Sequence, residues 1–586
     1  MSIPSMSSLD MSQVCRKDIT ISLTDEERQL FSIIMEANQD LHLHSTIRVA
    51  GGWVRDKILG FHSHDIDLAL DNMTGFEFVE HLPMWLSQKG YATSNVGKIK
   101  ANPDKSKHLE TATIRILNTS VDFVNLRKET YSEFSRIPTI TIGTPVEDAY
   151  RRDLTINSLF YNINTDTIED FTMRGIDDLA ARIVRTPLPA LETFIEDPLR
   201  LLRVIRFACR YQCSIDPAIM EASKDPGIES MLSRKVSRER VGIELLKMAQ
   251  GCDFARAMHL IDEMNIGNSV FNLDGDCSNY MRTQKHRSQE EFSRNLFLVA
   301  IPIECASGSA SLDAKFMNGV LGNALDDPSQ FAIEDMSLDP MKPHRYATFI
   351  NERLLEGIRV LEVRENNRSI PRLFSDHGLD KLTRDIEEGA LAVSRLACLL
   401  SPFCYSFLCG VMTTTIKKQT ISKRSFLAPF IKHIIRENLK LKNSVIDNVC
   451  FVVHREHELR PFIVASMGAA PQFDDAQQVR LGTLLFASRE LWPLMMQLSA
   501  VKLILEGVEE ERVISGCENL VNYLERKEMT KLWTVPSIIN GNELVSLGVK
   551  KGPGMKDVMD SVRNWMILHP HGTKEECIRD VIRENE

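Results

Sequence analysis

Strand-forming segments are confined to one stretch of this 586-residue chain, and that confinement limits its architecture more than any single motif. Between about residues 45 and 185 the β-branched and aromatic runs IRVAGG, DIDLAL, TATIRIL, VDFVNL and TINSLFYNI recur. After PLPALETF the pattern changes: apolar and charged residues return at spacings of three and four to the C-terminus, the period of helices. A sheet with helices early, and helices alone afterwards, predicts an α+β chain. At this length one core is insufficient, so several domains are expected. The boundaries read as an N-terminal extension over 1–44, an α/β region over 45–190, a helical region over 191–270, a poorly assigned insertion or junction over 271–345, and helices over 346–586. The insertion is marked by NLDGDCSNYMRTQKHRSQEEF, ASGSASLD and LDDPSQ, which are turn-rich and lack periodicity.

Bulk properties exclude several classes. Hydrophobic residues make up 43% and charged residues 26%, the proportions of a globular chain. No run approaches the roughly 20 apolar residues of a spanning helix, so no membrane partner is expected. A net charge of -10 argues against a protein that coats nucleic acid over its whole surface and leaves room for a local basic groove. The 12 cysteines form no CxxC pair with a matching second half, which disfavours structural zinc and a disulfide framework and suits a reducing compartment. The N-terminus has no apolar h-region and only Arg16 and Lys17 as cations in its first 20 residues. An intracellular location in the cytoplasm, the nucleus or both is expected; Met6 and Met11 as alternative starts leave a longer mitochondrial form open.

In DIDLAL, alternate residues share a face, so Asp65, Asp67 and Ala69 point one way and Ile66, Leu68 and Leu70 the other. Two carboxylates about 6.5–7 Å apart at Cα suit divalent cations, and Mg²⁺ prefers one or two carboxylates plus phosphate oxygens. Alone, such a pair also suits a solvated edge strand. Upstream, VAGG ends a strand and WVRDKILG has helical spacing, which would put the amides of Gly51 and Gly52 at a helix N-terminus, where phosphate is favoured. The spacing is neither GxGxxG nor GxxxxGK[ST], so neither a dinucleotide fold nor a Walker-type loop is implied. Arg55, one turn in, would add a charge-assisted contact to a triphosphate.

Two further segments carry polar residues in apolar surroundings. In YRRDLTINSLFYN, Arg152 is a phosphate candidate, and Asp153 and Asn157 are candidates for ribose hydroxyls. In EDPLRLLRVIRFACRY, Pro198 suits a first helical position, and Asp197, Arg200, Arg203 and Arg206 drift round one polar face. Cytosine and adenine both present an amino donor beside a ring-nitrogen acceptor, which a fixed carboxylate and guanidinium would match. Uracil and guanine would meet acceptor against acceptor. An acid–arginine pair can thus choose C and A without a nucleic-acid template.

These segments together resemble the class II tRNA nucleotidyltransferases, the CCA-adding enzymes, which share a polymerase-beta-type head with bacterial poly(A) polymerases. GGWVRD with DID is similar to the first motif of that family, RRDLTINSLFYN to the second, DFTMRGIDDL to the flexible-loop motif, EDPLRLLRVIRF to the templating motif and SRERVGIELLKM to the helix after it. HLETA, VDFVNLR, SRIPTITIGTPVEDA, IINGNELVSLGVKKGPG and GTKEEC favour the eukaryotic branch.

The resemblance implies a nucleotidyltransferase head of small mixed sheet and helices over 45–190, a helical neck carrying the base template over 191–270, and a tRNA-binding body and tail over 346–586. It implies two-metal addition of C, C and A to tRNA 3′ ends from CTP and ATP, with Mg²⁺ as cofactor. CC-adding or A-adding activity alone, poly(A) polymerase activity and a silent tRNA-binding protein are the alternatives. Asp65 and Asp67 would hold metal; Gly52, Arg55 and Arg152 would hold the nucleotide; Asp197 and Arg200 would form the template, with Arg203 and Arg206 toward the triphosphate. Glu110 and Asp122 compete for a third metal-side carboxylate. Met173 stands where relatives often have glycine, which puts the mobility of that loop in question. Oligomeric state is left open.

A tRNA partner is also suggested by charge. Lys417, Lys418, Lys423, Arg424, Lys432, Arg436, Lys440 and Lys442 stand against one acid, Glu437, and such a patch suits an RNA backbone.

Overall fold

The structure, a computed structural model, describes residues 19–271 apart from 62, 64, 92–96, 100–110, 118, 133–134 and 252, together with 392–393, 395–397 and 434–582 apart from 506. Glu110, residues 272–345 of the insertion assigned to 271–345, and Lys417, Lys418, Lys423, Arg424 and Lys432 lie outside the described residues. Contacts divide the chain into two units, Met1–Glu244 with Glu263–Val270, and Leu245–Asp262 with Phe271–Glu586.

The first unit opens with α1 (Asp25–Asp40), started by a capping box in which Thr24 and Glu27 satisfy each other's amides. Then follow β1 (Ile47–Ala50), α2 (Gly52–Ile58), β2 (Ile66–Leu70), α3 (Gly75–Glu80), α4 (Leu82–Gln88), β3 (Gly97–Ile99), β4 (Thr111–Ile116) and β5 (Thr119–Asn125). A hairpin of β6 (Arg127–Ser132) and β7 (Ser135–Ile142) leads to α5 (Pro145–Tyr150), β8 (Phe160–Asn162) and β9 (Thr167–Glu169). Seven strands form one sheet in the order β3-β4-β5-β2-β1-β8-β9, and only β2 and β5 run parallel within it. Helix α3 crosses β5 at Gly75, where a Cβ would lie 2.0 Å from the Phe123 carbonyl oxygen. That approach admits only glycine. Phe78 then stacks on Phe123, ring centroids 5.0 Å apart. On another side of the core, the Trp53 ring lies 5.9 Å from Phe31 and 5.7 Å from Tyr161.

The strand expected over TINSLFYNI is shorter than the sequence suggests. Only Phe160–Asn162 pairs in the sheet, and Thr155–Asn157 is a 3-10 turn. Its cause is local: Asp153 Oδ1 accepts from the Leu154 amide at 3.0 Å and from Asn157 Nδ2 at 3.1 Å, pulling the chain back on itself. Side chain-to-backbone bonding of this kind outcompetes β propensity.

Helices α6 (Gly175–Ala180), α7 (Ala190–Glu196), α8 (Leu199–Arg210), α9 (Pro217–Ser223), α10 (Pro226–Lys235) and α11 (Arg238–Gln250) follow. Helix α8 begins one residue after Pro198, which is its N-cap rather than its first helical residue. Leu201, Leu202, Ile205, Ala208 and Cys209 are buried as their stripe predicts, but so are Arg200 and Arg206. The helix is therefore enclosed on its polar face as well, a condition that demands charged partners.

Within the second unit every described element is helical, including Asn443–Arg455, Asp475–Ser488, Trp492–Leu505, Glu510–Arg526 and Pro553–Leu568. Lys502 Nζ meets Glu456 Oε1 at 2.6 Å inside that bundle, and the Ser499 hydroxyl donates to the same carboxylate. A separate cluster of Ile539, Leu544, Val562, Trp565 and Cys577 closes the C-terminal helices. Cys209, Cys213, Cys517 and Cys577 are buried. No helix among the described residues is long and apolar enough to cross a membrane.

Candidate active site

Register brings the acidic residues together. Because β2 and β5 are parallel neighbours with Asp67 opposite Asp122, the two carboxylates share one sheet face, and Asp65 lies just before β2. The Asp122 carboxylate is oriented by the Thr113 hydroxyl at 2.6 Å. The Asp67 side chain faces open space, yet enough protein surrounds it that partial desolvation, then the charges of Asp122 and Asp65, push its carboxyl up to about 6 against the pull of Arg152 and Arg127. Carboxylates that repel one another in this way suit a divalent cation. Among the described residues no three His, Cys, Asp or Glu side chains close into a complete cage. The arrangement fits a hard cation that takes its other ligands from phosphate and water.

The first of the two glycines makes room for an arginine. Gly51 has φ +70°, and a Cβ on it would lie 2.7 Å from Arg152 Nη1. Its amide donates to the Leu159 carbonyl at 2.9 Å, so the phosphate expectation passes to Gly52, the first residue of α2. Arg152 is held by Asp148, with Nε at 3.0 Å and Nη2 at 2.8 Å from Oδ2, while its guanidinium lies 5.0 Å over the Phe160 ring. Arg151 grips the other oxygen of Asp148 at 2.9 and 2.6 Å. Burial opposes the charge on Asp148, but Arg152 and Arg151 outweigh it and hold the carboxyl down at about 2.

Arg55 is buried. It donates to Asp56 Oδ1 at 2.9 and 2.8 Å and to Asn157 Oδ1, and it lies over the rings of Phe207 and Tyr211 at 4.9 and 4.6 Å. The Tyr211 hydroxyl completes the cluster on Asp56 at 2.8 Å. Asp153 and Asn157, expected at ribose hydroxyls, bond to each other and to protein: Asp153 Oδ2 takes Arg203 Nε at 2.7 Å. Burial would raise the Asp153 carboxyl, yet Arg203 and Asn157 hold it at about 2. Arg206 Nε meets buried Glu244 at 2.6 Å.

At the start of α8, Asp197 and Arg200 are each held from outside. Arg200 Nη1 donates to Glu196 at 2.9 Å and Nη2 to the Arg151 carbonyl at 2.8 Å. Asp197 receives Arg240 Nη2 at 2.7 Å and Nη1 at 3.4 Å. The backbone around Arg151 thus links the segment carrying Arg152 to the segment carrying the acid–arginine pair.

Residues 47–185 match the Poly A polymerase head domain. The whole chain is 31% identical over 573 residues to the mitochondrial CCA tRNA nucleotidyltransferase of Candida glabrata, covering 95% of each. The chain belongs to the CCA tRNA nucleotidyltransferase family. It is also 30% identical over 574 residues to tRNA nucleotidyltransferase cca1 of Schizosaccharomyces pombe, covering 95% of this chain and 96% of that one. Its fold is similar to that of the Bacillus stearothermophilus CCA-adding enzyme solved in complex with CTP, with a TM-score of 0.53 at 16% identity over 96% of this chain and 98% of that chain.

For this CCA tRNA nucleotidyltransferase family member, sequence reasoning missed the partners rather than the principals. Asp148, Arg127, Arg240 and Glu244 all lie in segments that carry the family resemblance, but none has a local pattern that announces a role. A buried charge needs a counter-charge, and that need is the one signal that could have found them. Met173, 64% exposed, has φ +58°, the left-handed conformation that glycine adopts without strain. Of the basic patch, Lys440 pairs with Glu437 at 2.6 Å and Arg436 donates to Asn443.

Proposed function

We propose that this chain adds C, C and A to the 3′ ends of tRNA from CTP and ATP, releasing pyrophosphate, with Mg²⁺ as the divalent cation. Full-length similarity to CCA tRNA nucleotidyltransferases supports the reading, and the juxtaposition of Asp67 with Asp122 carries its chemistry. Asp65 and Asp67 would hold the cations, and Asp122 is favoured over Glu110 as the third carboxylate because it lies opposite Asp67. Divalent cations at such a site supply charge stabilisation to the α-phosphate and its leaving group and a more acidic attacking hydroxyl. Gly52 and Arg152 orient the triphosphate, the latter kept in place by Asp148. Arg55, with Arg203 and Arg206, supports that grip from the protein side. Asp197 presents an acceptor and Arg200 a donor to the pairing edge of the base. An intracellular protein with a mitochondrial form belongs to the same reading, as the designation of the Candida glabrata relative supports.

The test is incorporation on a tRNA lacking CCA, with each labelled nucleotide supplied alone and then CTP with ATP. Expected products are two added nucleotides with CTP alone and three with both, and Mg²⁺ dependence throughout. A long A tract, or growth by one base type only, would overturn it. A second expectation concerns the template. Arg200→Ala should bring incorporation of UTP and GTP to within about tenfold of CTP and ATP, the worth of one or two hydrogen bonds. Unchanged discrimination in that variant sinks the template role.

A further inference from the structure

The acid–arginine pair at the start of α8 has an outer partner to which the family's nucleotide-contacting pattern gives no part. Asp197 lies in extended backbone between α7 and α8, where its Oδ1 accepts from the Leu199 amide at 3.2 Å. That bond fixes the main chain. It does not fix the plane of the carboxylate, because the last torsion of an aspartate is broad and nearly two-fold. Arg240, on α11 and 43 residues further on, meets both oxygens, Nη2 at 2.7 Å and Nη1 at 3.4 Å. A planar guanidinium gripping both oxygens sets that plane.

We propose that Arg240 is a positioning residue for the choice of base, holding the Asp197 carboxylate in the one plane from which its remaining acceptor position meets an amino group. This rests on the reading of Asp197 and Arg200 as the template. Three observations favour positioning over simple support. The ion pair is half-open, with Arg240 and Asp197 side chains 30% and 17% exposed, and such pairs add little to stability. Asp197 is the one charged partner of the Arg240 side chain among the described residues. Arg200 is by contrast secured twice over, by Glu196 and by the Arg151 carbonyl, so the acceptor half of the pair has the greater need of an external anchor. A carboxylate has about four acceptor positions. With Arg240 on both oxygens and the Leu199 amide also on Oδ1, one position on Oδ2 is left for the base.

The experiment compares Arg240→Ala, Arg240→Lys and Arg200→Ala in single-nucleotide incorporation on tRNA lacking CCA, with thermal unfolding of each. For Arg240→Ala the expected result is a fall of about tenfold or more in the ratio of kcat/KM for CTP over UTP, and for ATP over GTP. The loss should fall on KM more than on kcat, with a Tm within about 2 °C of the parent. Arg240→Lys, which keeps the charge and loses the planar fork, should be intermediate. If Arg200→Ala relaxes discrimination and Arg240→Ala does not, the positioning role is wrong and the template stands. Should neither variant alter discrimination, the template reading itself fails. A large fall in Tm for both Arg240 variants, with the ratio retained by whatever remains active, assigns Arg240 to structure and overturns the proposal.

Discussion

Replacing Asp67 by asparagine is expected to lower nucleotide incorporation on the order of a thousandfold while leaving tRNA binding nearly intact. The estimate follows from a bound cation worth several kcal/mol of transition-state stabilisation, each 1.4 kcal/mol being about tenfold in rate. Robust activity in the variant would remove Asp67 from the metal site. The same substitution should make the cation-free protein more stable, not less. Partial desolvation and the neighbouring Asp122 and Asp65 raise the folded-state carboxyl to about 6 from an ordinary 3.8. The stabilising proton is therefore fully present below about pH 3.8 and lost as pH rises through about 6, so at pH 7 an ionised Asp67 opposes folding. Because the side chain is open to solvent, screening limits the gain on neutralisation to a Tm rise of no more than about 2–4 °C. Loss of activity with a rise in Tm is the combined signature. Activity of the parent should fall as pH falls through about 6, and added Mg²⁺ should move that fall to lower pH, since proton and cation compete for one carboxylate.

Asp148→Asn is expected to destabilise the first unit by about 3–5 kcal/mol, the range for breaking a buried ion pair by removing one partner. Asp148 is 1% exposed and accepts two guanidiniums, and it also receives the Arg127 amide at 3.2 Å. An amide in its place would present a donor to at least one donor. The sign with pH is opposite to that of Asp67: a folded-state value held at about 2 contributes stability above the ordinary 3.8, and loses it as pH falls through about 2. Denaturant unfolding of the variant measures the effect directly. A loss below about 1 kcal/mol would show that Arg151 and Arg152 have other anchors sufficient to hold them. Because Arg152 is the proposed triphosphate contact, the KM for CTP and for ATP should rise together in any variant that still folds.

The parts of this molecule that sequence made legible are those written in local periodicity. DIDLAL alternates, so the face carrying Asp65 and Asp67 follows from the pattern of residues alone, and Leu68 and Leu70 are indeed fully buried. The stripe on α8 was legible for the same reason. Neighbours across the sheet were not: nothing in either segment says that β2 pairs with β5 rather than with some other strand, and that pairing is what sets Asp122 beside Asp67. TINSLFYNI misled because β-branched and aromatic content favours strand, while Asp153 and Asn157 settle the matter by bonding locally. The partners Asp148, Arg240 and Glu244 were hidden for a further reason. On helices they look like solvated charges, and only the tertiary placement of Arg152, Asp197 and Arg206 beside them shows what they hold.

Reciprocal pairing of buried charge has a consequence for how such a chain can diverge. Arg206 with Glu244, Arg203 with Asp153 and Arg240 with Asp197 each join one helix or turn to another. For a pair buried on both sides, losing either member strands the other. Inheritance at these positions should therefore proceed by couples, with Arg206 and Glu244 retained or exchanged together. The half-open couple of Arg240 and Asp197 can drift at little cost to folding, and its coupling would be kept by selection on fidelity alone.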